Sequence, residues 1–384
     1  MMHTRVIPLL GAVALAIAGN AAAAAAEQTV RIGHVAPISG GIAHIGKDTE
    51  NGVRMAIEQA NARGLVIGGN KIKFELLAED DAGDPRQATT VAQKLVDAKV
   101  NGVVGHLNSG TTIPASRIYN EAGIPQISPA ATNPKYTQQG YSTAFRVVAN
   151  DGQLGGALGR YAVDVLKASK IAVIDDRTAY GEGIATEFVK AAKKQSKNVS
   201  IVTQQFTNDK ATDFNAILTA IKDKKPDLVF FGGLDAVAGP MLRQMKQLGI
   251  NVKFVGGDGI CTGEIAKLAG DALVDDQLIC AEAGGVVDAD KKGLDAFKLA
   301  FKKRFNVEVQ IYSPYAFDAA NAMIAAMQKA NSVEPAKYLP QLAKIKYKGV
   351  TGPVAFDAKG DVKDGTLTLY TYKGGKRTLL TVTK

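Results

Sequence analysis

Tryptophan is absent from the 384 residues, aromatic residues make up only 6% of the chain, and basic residues form no long cluster. Nucleic-acid-binding proteins commonly combine a basic stripe with interleaved aromatic side chains. Here the 46 lysines and arginines are scattered, and the longest basic run is Lys302–Arg304. We therefore attribute the formal net charge of +9 to a solvated surface and expect no nucleic-acid partner.

Low-complexity sequence is also missing. With 46% hydrophobic and 22% charged residues, 40 glycines and 13 prolines, the composition is that of an ordinary globular protein and not of a disordered or collagen-like one. We expect two or more domains, because single hydrophobic cores rarely grow beyond about 250–300 residues.

Residues that could support catalysis or metal binding are scarce. The sequence has four histidines; His34, His44 and His106 lie beyond the N-terminal segment, and no two histidines have metal-ligand spacing. The motifs H-E-x-x-H, G-x-S-x-G and strand-associated G-x-G-x-x-G do not occur. We expect no enzymatic activity, metal or cofactor, and we interpret His34 as a packed strand residue and His106 as a residue that orients a loop.

The segment Gly41–Lys47 resembles a phosphate-binding P-loop, since glycines and a lysine follow a predicted strand and open a predicted helix. The next residue, Asp48, stands where a serine or threonine would ligate magnesium, and it would place a carboxylate beside phosphate oxygens. We therefore interpret the segment as a glycine-permissive turn at the mouth of a sheet.

The N-terminal segment has the pattern of a secretory signal peptide. His3 and Arg5 precede an uncharged run over residues 6–26, and alanines occupy the positions expected before cleavage at Glu27. A retained transmembrane anchor is the alternative, disfavoured because much of the run is alanine and glycine. No cysteine lies near the cleavage site, so no lipid anchor is expected. Residues 1–26 are predicted to be removed on export, which leaves a soluble chain.

Two cysteines, Cys261 and Cys280, are present in the sequence. An even number of cysteines in an oxidising compartment commonly forms bridges, so we predict a Cys261–Cys280 disulfide. Two buried free thiols are the alternative. A metal site is not expected, because two cysteines without nearby histidines offer too few ligands.

The hydrophobic pattern alternates between strands and helices. Short β-branched runs are followed by segments with apolar residues at helical spacing, as at Phe214, Ile217, Leu218 and Ile221. Such alternation predicts an α/β fold, with parallel sheets covered by helices. The predicted strands of this series are 30–35, 72–77, 103–105, 171–175, 201–206, 228–232 and 253–256.

The pattern restarts near residue 150, where a predicted strand at 144–147 leads into a helix at 154–166 and a second series begins. This restart indicates a crossing between domains. In the last part of the chain, two strictly alternating runs flank Gly374–Gly375 and predict an antiparallel hairpin. The remaining elements predicted there are helices 288–304, 315–329 and 336–345 and hairpin strands 366–372 and 378–382.

Two polar loops follow predicted strands, at the sheet edge where open α/β folds bind ligands. Residues 105–112 lead into a helix predicted to begin near Ile113–Pro114, and residues 128–132 close the next strand. Free amides at a helix N-terminus would suit a carboxylate. Plain helix capping by Ser109 and Thr132 is the alternative interpretation.

Several segments occur in the order of a known family: Val30–Gly33, Pro37–Gly40, Asp80–Pro85, Gly105–Leu107, Ser128–Thr132 and Tyr180–Gly183. Over nearly its whole mature length the chain resembles the leucine-binding protein family, the type I periplasmic binding proteins that deliver branched-chain amino acids to ABC importers. The resemblance implies two Rossmann-like lobes with parallel sheets, three interlobe crossovers and a ligand held between the lobes. It also implies a periplasmic monomer whose partners are an L-amino acid and the permease subunits of the importer.

The lobe boundaries are predicted from this plan together with the restart near residue 150. The first lobe, which would capture the ligand carboxylate, comprises 27–148 and 283–355. The second, closing lobe comprises 149–282 and 356–384.

The resemblance also implies roles for particular residues. Ser109 and Thr132, with neighbouring amides, would face the ligand carboxylate. The ligand ammonium would meet the carbonyl of Ala130, the hydroxyl of Thr132 and the carboxylate of Asp258, and Tyr180 would close over the ligand. The other residues expected at the site are Ala131, Ile45, Asn108 and Tyr312.

Some positions depart from the enteric leucine-binding members, which carry tyrosine at the position of Ile45 and glutamate at that of Asp258. Their cysteine pair falls at Gly83 and Asn108 here, consistent with that bridge being lost as a unit. Ile45 makes the pocket more apolar and suits leucine, isoleucine or valine. A binding protein for amides, aromatic amino acids or aromatic acids and, more remotely, an exported amidase-like enzyme are the alternatives.

Overall fold

The structure, a computed structural model, describes residues 1–2, 26–285 and 288–383. Most of the predicted signal peptide lies outside the described residues. No helix within the described ranges is long and apolar enough to cross a lipid bilayer.

The first half of the chain forms a six-stranded sheet with helices on its faces. Its elements are β1 (Glu27–Ala36), α1 (Ala43–Ala62), β2 (Val66–Ile67), β3 (Asn70–Asp80), α2 (Pro85–Asp97), β4 (Gly102–Gly105), α3 (Ser109–Glu121), β5 (Gln126–Ser128), α4 (Lys135–Gln138) and β6 (Ala144–Arg146). The strand order is β2-β3-β1-β4-β5-β6, and only the short β2 pairs antiparallel. The carboxyl ends of β1, β4 and β5 therefore meet at one edge.

A second series builds the second sheet. Its elements are α5 (Asp151–Asp164), β7 (Lys170–Asp175), α6 (Ala179–Gln195), β8 (Ser200–Phe206), α7 (Asn215–Asp223), β9 (Leu228–Gly232), α8 (Asp235–Gln247), β10 (Lys253–Gly256), α9 (Ile265–Ala269) and β11 (Leu278–Glu282). The core strand β9 is fully buried and consists of Leu, Val, Phe, Phe and Gly, as expected for a parallel strand covered by helices on both faces.

The remaining elements divide between the two halves. They are α10 (Asp288–Phe305), α11 (Ser313–Ala330), α12 (Pro335–Leu342), β12 (Tyr347–Gly349), β13 (Gly352–Val354), β14 (Leu367–Lys373) and β15 (Lys376–Thr383). Helix α11 packs on α1 so closely that a Cβ on Gly52 would lie 2.2 Å from the Ser313 carbonyl oxygen. The hairpin β14–β15 instead completes the second sheet, in the order β15-β14-β11-β10-β9-β7-β8.

The chain thus passes between the sheets three times, and the three crossing segments lie side by side. The Ala149 amide donates to the Ala283 carbonyl at 2.9 Å, and the Arg146 amide donates to the Gly360 carbonyl at 2.9 Å. Two α/β lobes connected by three adjacent segments confirm the predicted fold class. The residue at which each lobe ends stays a prediction.

The seven strands of the predicted series and the C-terminal hairpin are confirmed, with ends that shift by up to three residues. The disulfide is also confirmed, since Cys261 and Cys280 are bonded and fully buried. The start of α3 was predicted wrongly: the helix begins at Ser109, before Pro114, and its N-cap Asn108 makes no side-chain capping bond. Amides of the first turn bond the Asn108 carbonyl, so Pro114 lies within the helix.

Candidate functional site

A small cavity lies between the carboxyl edges of the two sheets. The first lobe supplies α1, the loop after β4 and the loop after β5, and the second lobe supplies α6 and the loops after β9 and β10. The lining residues are Ile45, Leu107, Asn108, Ser109, Ala130, Tyr180, Leu234, Asp258 and Tyr312.

Asp258 is the only carboxylate among these lining residues, and two tyrosines hold it. The Tyr180 hydroxyl donates to Oδ1 at 2.7 Å and the Tyr312 hydroxyl donates to Oδ2 at 2.8 Å. The Gly259 amide donates to the Tyr180 oxygen at 3.0 Å. Since Tyr180 lies in the first turn of α6 in the second lobe and Tyr312 precedes α11 of the first, this network joins the lobes.

Burial governs the charge of Asp258. Desolvation raises its pKa to about 6. The hydrogen bonds from Tyr180 and Tyr312 favour the ionised form and lower the pKa, but they do not outweigh desolvation. Burial also raises the pKa of both tyrosines well above the usual range, so they remain neutral donors. A buried carboxylate held by neutral donors is suited to a cationic partner.

The opposite wall is formed by the loops after β4 and β5. Ser109 opens α3, and its Oγ accepts from the Asn133 amide at 3.2 Å. Asn108 Oδ1 is buried without a hydrogen-bond partner among the described residues, and the buried Thr132 hydroxyl has no hydrogen bond of normal geometry there. This wall therefore combines the N-terminus of α3, which suits an anionic group, with the uncommitted acceptor oxygen of Asn108, which suits a hydrogen-bond donor.

The structure brings together most of the predicted site residues. Seven of the nine line the cavity, whereas Ala131 and Thr132 are buried in the loop behind it. Leu107 and Leu234 complete the lining and were missed by sequence reasoning. Leu234 follows the predicted strand 228–232. Its place just after the carboxyl end of that strand could have identified it as a candidate site residue.

A buried arginine holds the loop after β5. Arg146 is fully buried and donates to the carbonyls of Ala131 at 3.0 Å and Asn133 at 2.9 Å. Its guanidinium also pairs with Asp361, from the third crossing segment. Arg146 was not predicted as a site residue, because the loop and Asp361 reach it only through the tertiary fold.

The P-loop-like segment has a packing role. A Cβ on Gly46 would lie 1.9 Å from the Pro37 carbonyl oxygen, so the glycine permits close approach. The Asp48 carboxylate accepts from four amides of the Gln310–Ser313 segment, at 2.8–3.2 Å. It therefore fixes the backbone that carries Tyr312.

Replacing Asp48 is expected to weaken both folding and ligand binding. Asp48→Ala leaves the four amides without their acceptor and should lower the free energy of unfolding by about 1–3 kcal/mol. Asp48→Asn keeps one acceptor oxygen and should have a smaller effect. Denaturant unfolding and calorimetric titration check this, with Asp97→Asn on the exposed face of α2 as the control. Unchanged unfolding of Asp48→Ala would contradict it.

The described residues contain no group of three or more side chains placed to hold a metal ion. His106 bonds Asp81 and Tyr119 at 2.8 and 3.1 Å, and His34 bonds the Val104 carbonyl at 2.8 Å. Both histidines are thus engaged inside the first lobe, as their sequence positions indicated.

Comparisons with known proteins agree with this geometry. A family model described as "Periplasmic binding protein" matches residues 29–376. The leucine-, isoleucine-, valine-, threonine-, and alanine-binding protein of Pseudomonas aeruginosa is 36% identical over 357 residues, which cover 93% of each chain. A Leu/Ile/Val-binding protein homolog of Brucella abortus is 35% identical over 347 residues, 90% of this chain and 91% of the relative.

A solved structure of a binding protein has the same fold. A branched-chain amino acid transporter substrate binding protein from Streptococcus pneumoniae, in complex with isoleucine, superposes with a TM-score of 0.82 at 28% sequence identity. The match covers 93% of this chain and 99% of that one.

Proposed function

The chain belongs to the periplasmic binding protein family, and from this premise we propose that it captures an aliphatic, branched-chain L-amino acid between its lobes. It delivers the closed complex to the permease of an ABC importer. The observation that carries the proposal is the buried Asp258, held by Tyr180 and Tyr312 across the cavity from Ser109.

The two walls of the cavity complement a zwitterion. The ligand carboxylate lies at Ser109 and the amide of Thr132, near the N-terminus of α3. The ammonium lies at the Ala130 carbonyl, the Thr132 hydroxyl and Asp258, with a charge-assisted hydrogen bond to the acid. An anion site and a carboxylate in one small cavity support an α-amino acid more than an amide or an aromatic acid.

The rest of the lining supports an aliphatic side chain. Ile45, Leu107 and Leu234 are apolar and lie on both sides of the cleft, so they remove the ligand side chain from water without demanding a hydrogen bond. The relatives named for binding leucine, isoleucine and valine support the same class.

The mechanism is closure, without a chemical reaction. The first lobe binds the carboxylate in the open form, and Asp258 and Tyr180 of the second lobe reach the ligand only on closing. Since the ligand contacts the second lobe only in the closed form, it shifts the equilibrium toward that form. We further propose that residues 1–26 direct export to the periplasm and that the receptor acts as a monomer.

A thermal-shift panel of the twenty L-amino acids tests the proposal, with protein unfolded and refolded to remove retained ligand. Saturating ligand at about 1,000 times its Kd adds roughly 4 kcal/mol to the folded state. Leucine, isoleucine and valine should raise the melting temperature by several degrees. A shift produced only by amides or aromatic acids would contradict the proposed roles of Ser109, Thr132 and Asp258.

Affinity should fall in acid. The ammonium binds the ionised form of Asp258, whose pKa is about 6 while the cleft is closed and Asp258 is buried. The bound cation lowers that pKa, so the contribution of Asp258 to affinity is constant above pH 6 and declines below it, by up to about tenfold per pH unit. Calorimetric titration with leucine across this range checks the slope, and Asp258→Asn should abolish it. An affinity that rises as the pH falls below about 6 would contradict the assignment.

A further inference from the structure

A second contact joins the lobes outside the cavity. His44, on the first turn of α1, lies with its Nε2 2.8 Å from Oδ2 of Asp235, the first residue of α8. A Cβ on Gly41, just before α1, would lie 3.3 Å from the Cβ of Ala236. The two helix starts thus meet across the cleft, and neither His44 nor Asp235 lines the cavity.

The acid of this pair is far more buried than the base. Asp235 has no exposed side-chain surface, whereas the His44 side chain is 22% exposed. The Thr262 hydroxyl donates to the same Oδ2 at 2.5 Å, and Oδ1 has no hydrogen-bond partner among the described residues. His44 is therefore the only cationic group that the described contacts place on this carboxylate.

The charged groups that face His44 are all acidic. They are Asp235 of α8, Glu264 just before α9, and Asp48 of α1 itself. Burial lowers the pKa of His44, but the hydrogen bond to Asp235 and the charges of the three acids outweigh burial and raise it above 6.5.

The position of Asp235 makes this pair specific to the closed form. Since α1 and α8 belong to different lobes, opening the cleft separates the pair and lets water reach the carboxylate. Closing removes that water, and burying an unpaired carboxylate is costly. A protonated His44 offsets this cost, so the pair stabilises the closed form although it does not contact the ligand.

We propose that His44 and Asp235 form an interlobe latch, which strengthens ligand binding by stabilising closure and does so most when His44 is protonated. The inference rests on the proposed closure of the two lobes around a ligand. His44 and Asp235 act as positioning residues, because they do not touch the ligand and affect its binding only by changing the angle between the lobes.

The pH dependence of the latch has a definite sign. The pKa of His44 is raised in the closed form, and it returns toward the ordinary value of 6.5 when the cleft opens. The contribution of the latch is complete below 6.5 and is lost as the pH rises through the closed-form pKa. This direction is opposite to that of Asp258, whose protonation weakens ligand binding.

Calorimetric titration of leucine into wild type and His44→Gln tests the latch, at about pH 5.5 and about pH 8. Because both proteins retain Asp258, the ratio of their Kd values at one pH cancels its titration. We expect His44→Gln to bind about three- to tenfold more weakly at the acidic pH and within about twofold at the alkaline pH. Lys47→Gln, which removes a cation paired with Glu50 on the same helix, is the control, and its Kd should equal that of wild type at both pH values.

A double-mutant cycle isolates the pair. Asp235→Asn removes the carboxylate that needs a cation, so His44→Gln should cost less in the Asp235→Asn background than in wild type. Equal Kd values of wild type and His44→Gln at both pH values, or additive effects in the cycle, would overturn the latch.

Failure of the proposed ligand is distinguishable from failure of the latch. If wild type binds no amino acid, the amino-acid proposal fails, and the latch is then measured directly in ligand-free protein by the distance between spin labels on the two lobes. His44→Gln should raise the open population in acid. An unchanged distance distribution in acid would overturn the latch, and unchanged thermal unfolding of the ligand-free variant excludes a folding defect as the cause.

Discussion

Replacing Asp258 by alanine is expected to lower the affinity for leucine, isoleucine and valine by at least about tenfold, the largest functional effect of any single substitution considered. The variant loses the anionic partner of the ligand ammonium. It also leaves the hydroxyls of Tyr180 and Tyr312 without their acceptor in a buried site. Both losses occur in the closed form, so the effect should appear in the dissociation rate as well as in Kd.

Isothermal titration calorimetry with each amino acid checks this prediction. Asp258→Asn separates charge from shape, because the amide retains an acceptor but has no charge to pair with the ammonium. Asp271→Ala, which removes an exposed acid of the same lobe paired with Lys246, is the matched control and should bind like wild type. Affinity near that of wild type in Asp258→Ala would remove Asp258 from the site.

Removal of the disulfide is expected to have the largest effect on stability. Cys261 and Cys280 close a loop with a sequence separation of 19, and a loop of this length corresponds to about 3 kcal/mol in the chain-entropy model. The bridge joins β11 to the segment that follows Asp258, the same segment from which Thr262 reaches Asp235. Its loss should therefore loosen one wall of the cleft as well as lower the free energy of unfolding.

Denaturant unfolding of the Cys261→Ser/Cys280→Ser double variant measures this effect, with the reduced wild type as a second comparison. The two should agree, because both lack the bond. Thiol titration of the unfolded, unreduced protein provides an independent check and should detect no free thiol. Two reactive thiols, or an unfolding curve that the double substitution leaves unchanged, would contradict the prediction.

Local patterns account for what could be predicted. The α/β alternation was readable because each strand and helix carries its own hydrophobic period. The loops that carry Ser109 and Ala130 were identified because the carboxyl ends of parallel strands collect at one edge of a sheet. The start of α3 was predicted wrongly because Pro114 was taken to mark the first helical turn, whereas the first-turn amides already bond the Asn108 carbonyl.

Contacts between distant segments could not be read in this way. Tyr180 and Tyr312 reach Asp258 over sequence separations of 78 and 54 residues, and the resemblance to a family, not any spacing, brought them into the predicted site. The structural roles of Arg146 and Asp48 could not be read from the sequence, because several of their partners are backbone groups of other segments, which any sequence carries.

The sequence alone established the fold class, the cysteine pair and the loops that bear the site, because local periodicity, composition and loop chemistry encode them. The tertiary structure decided how those parts act on one another: that Asp258 is held by a tyrosine from each lobe and that His44 meets Asp235 across the cleft. The physical reason is that burial and pairing depend on which segments the three crossings bring together. A carboxylate has its ordinary pKa until the fold removes it from water.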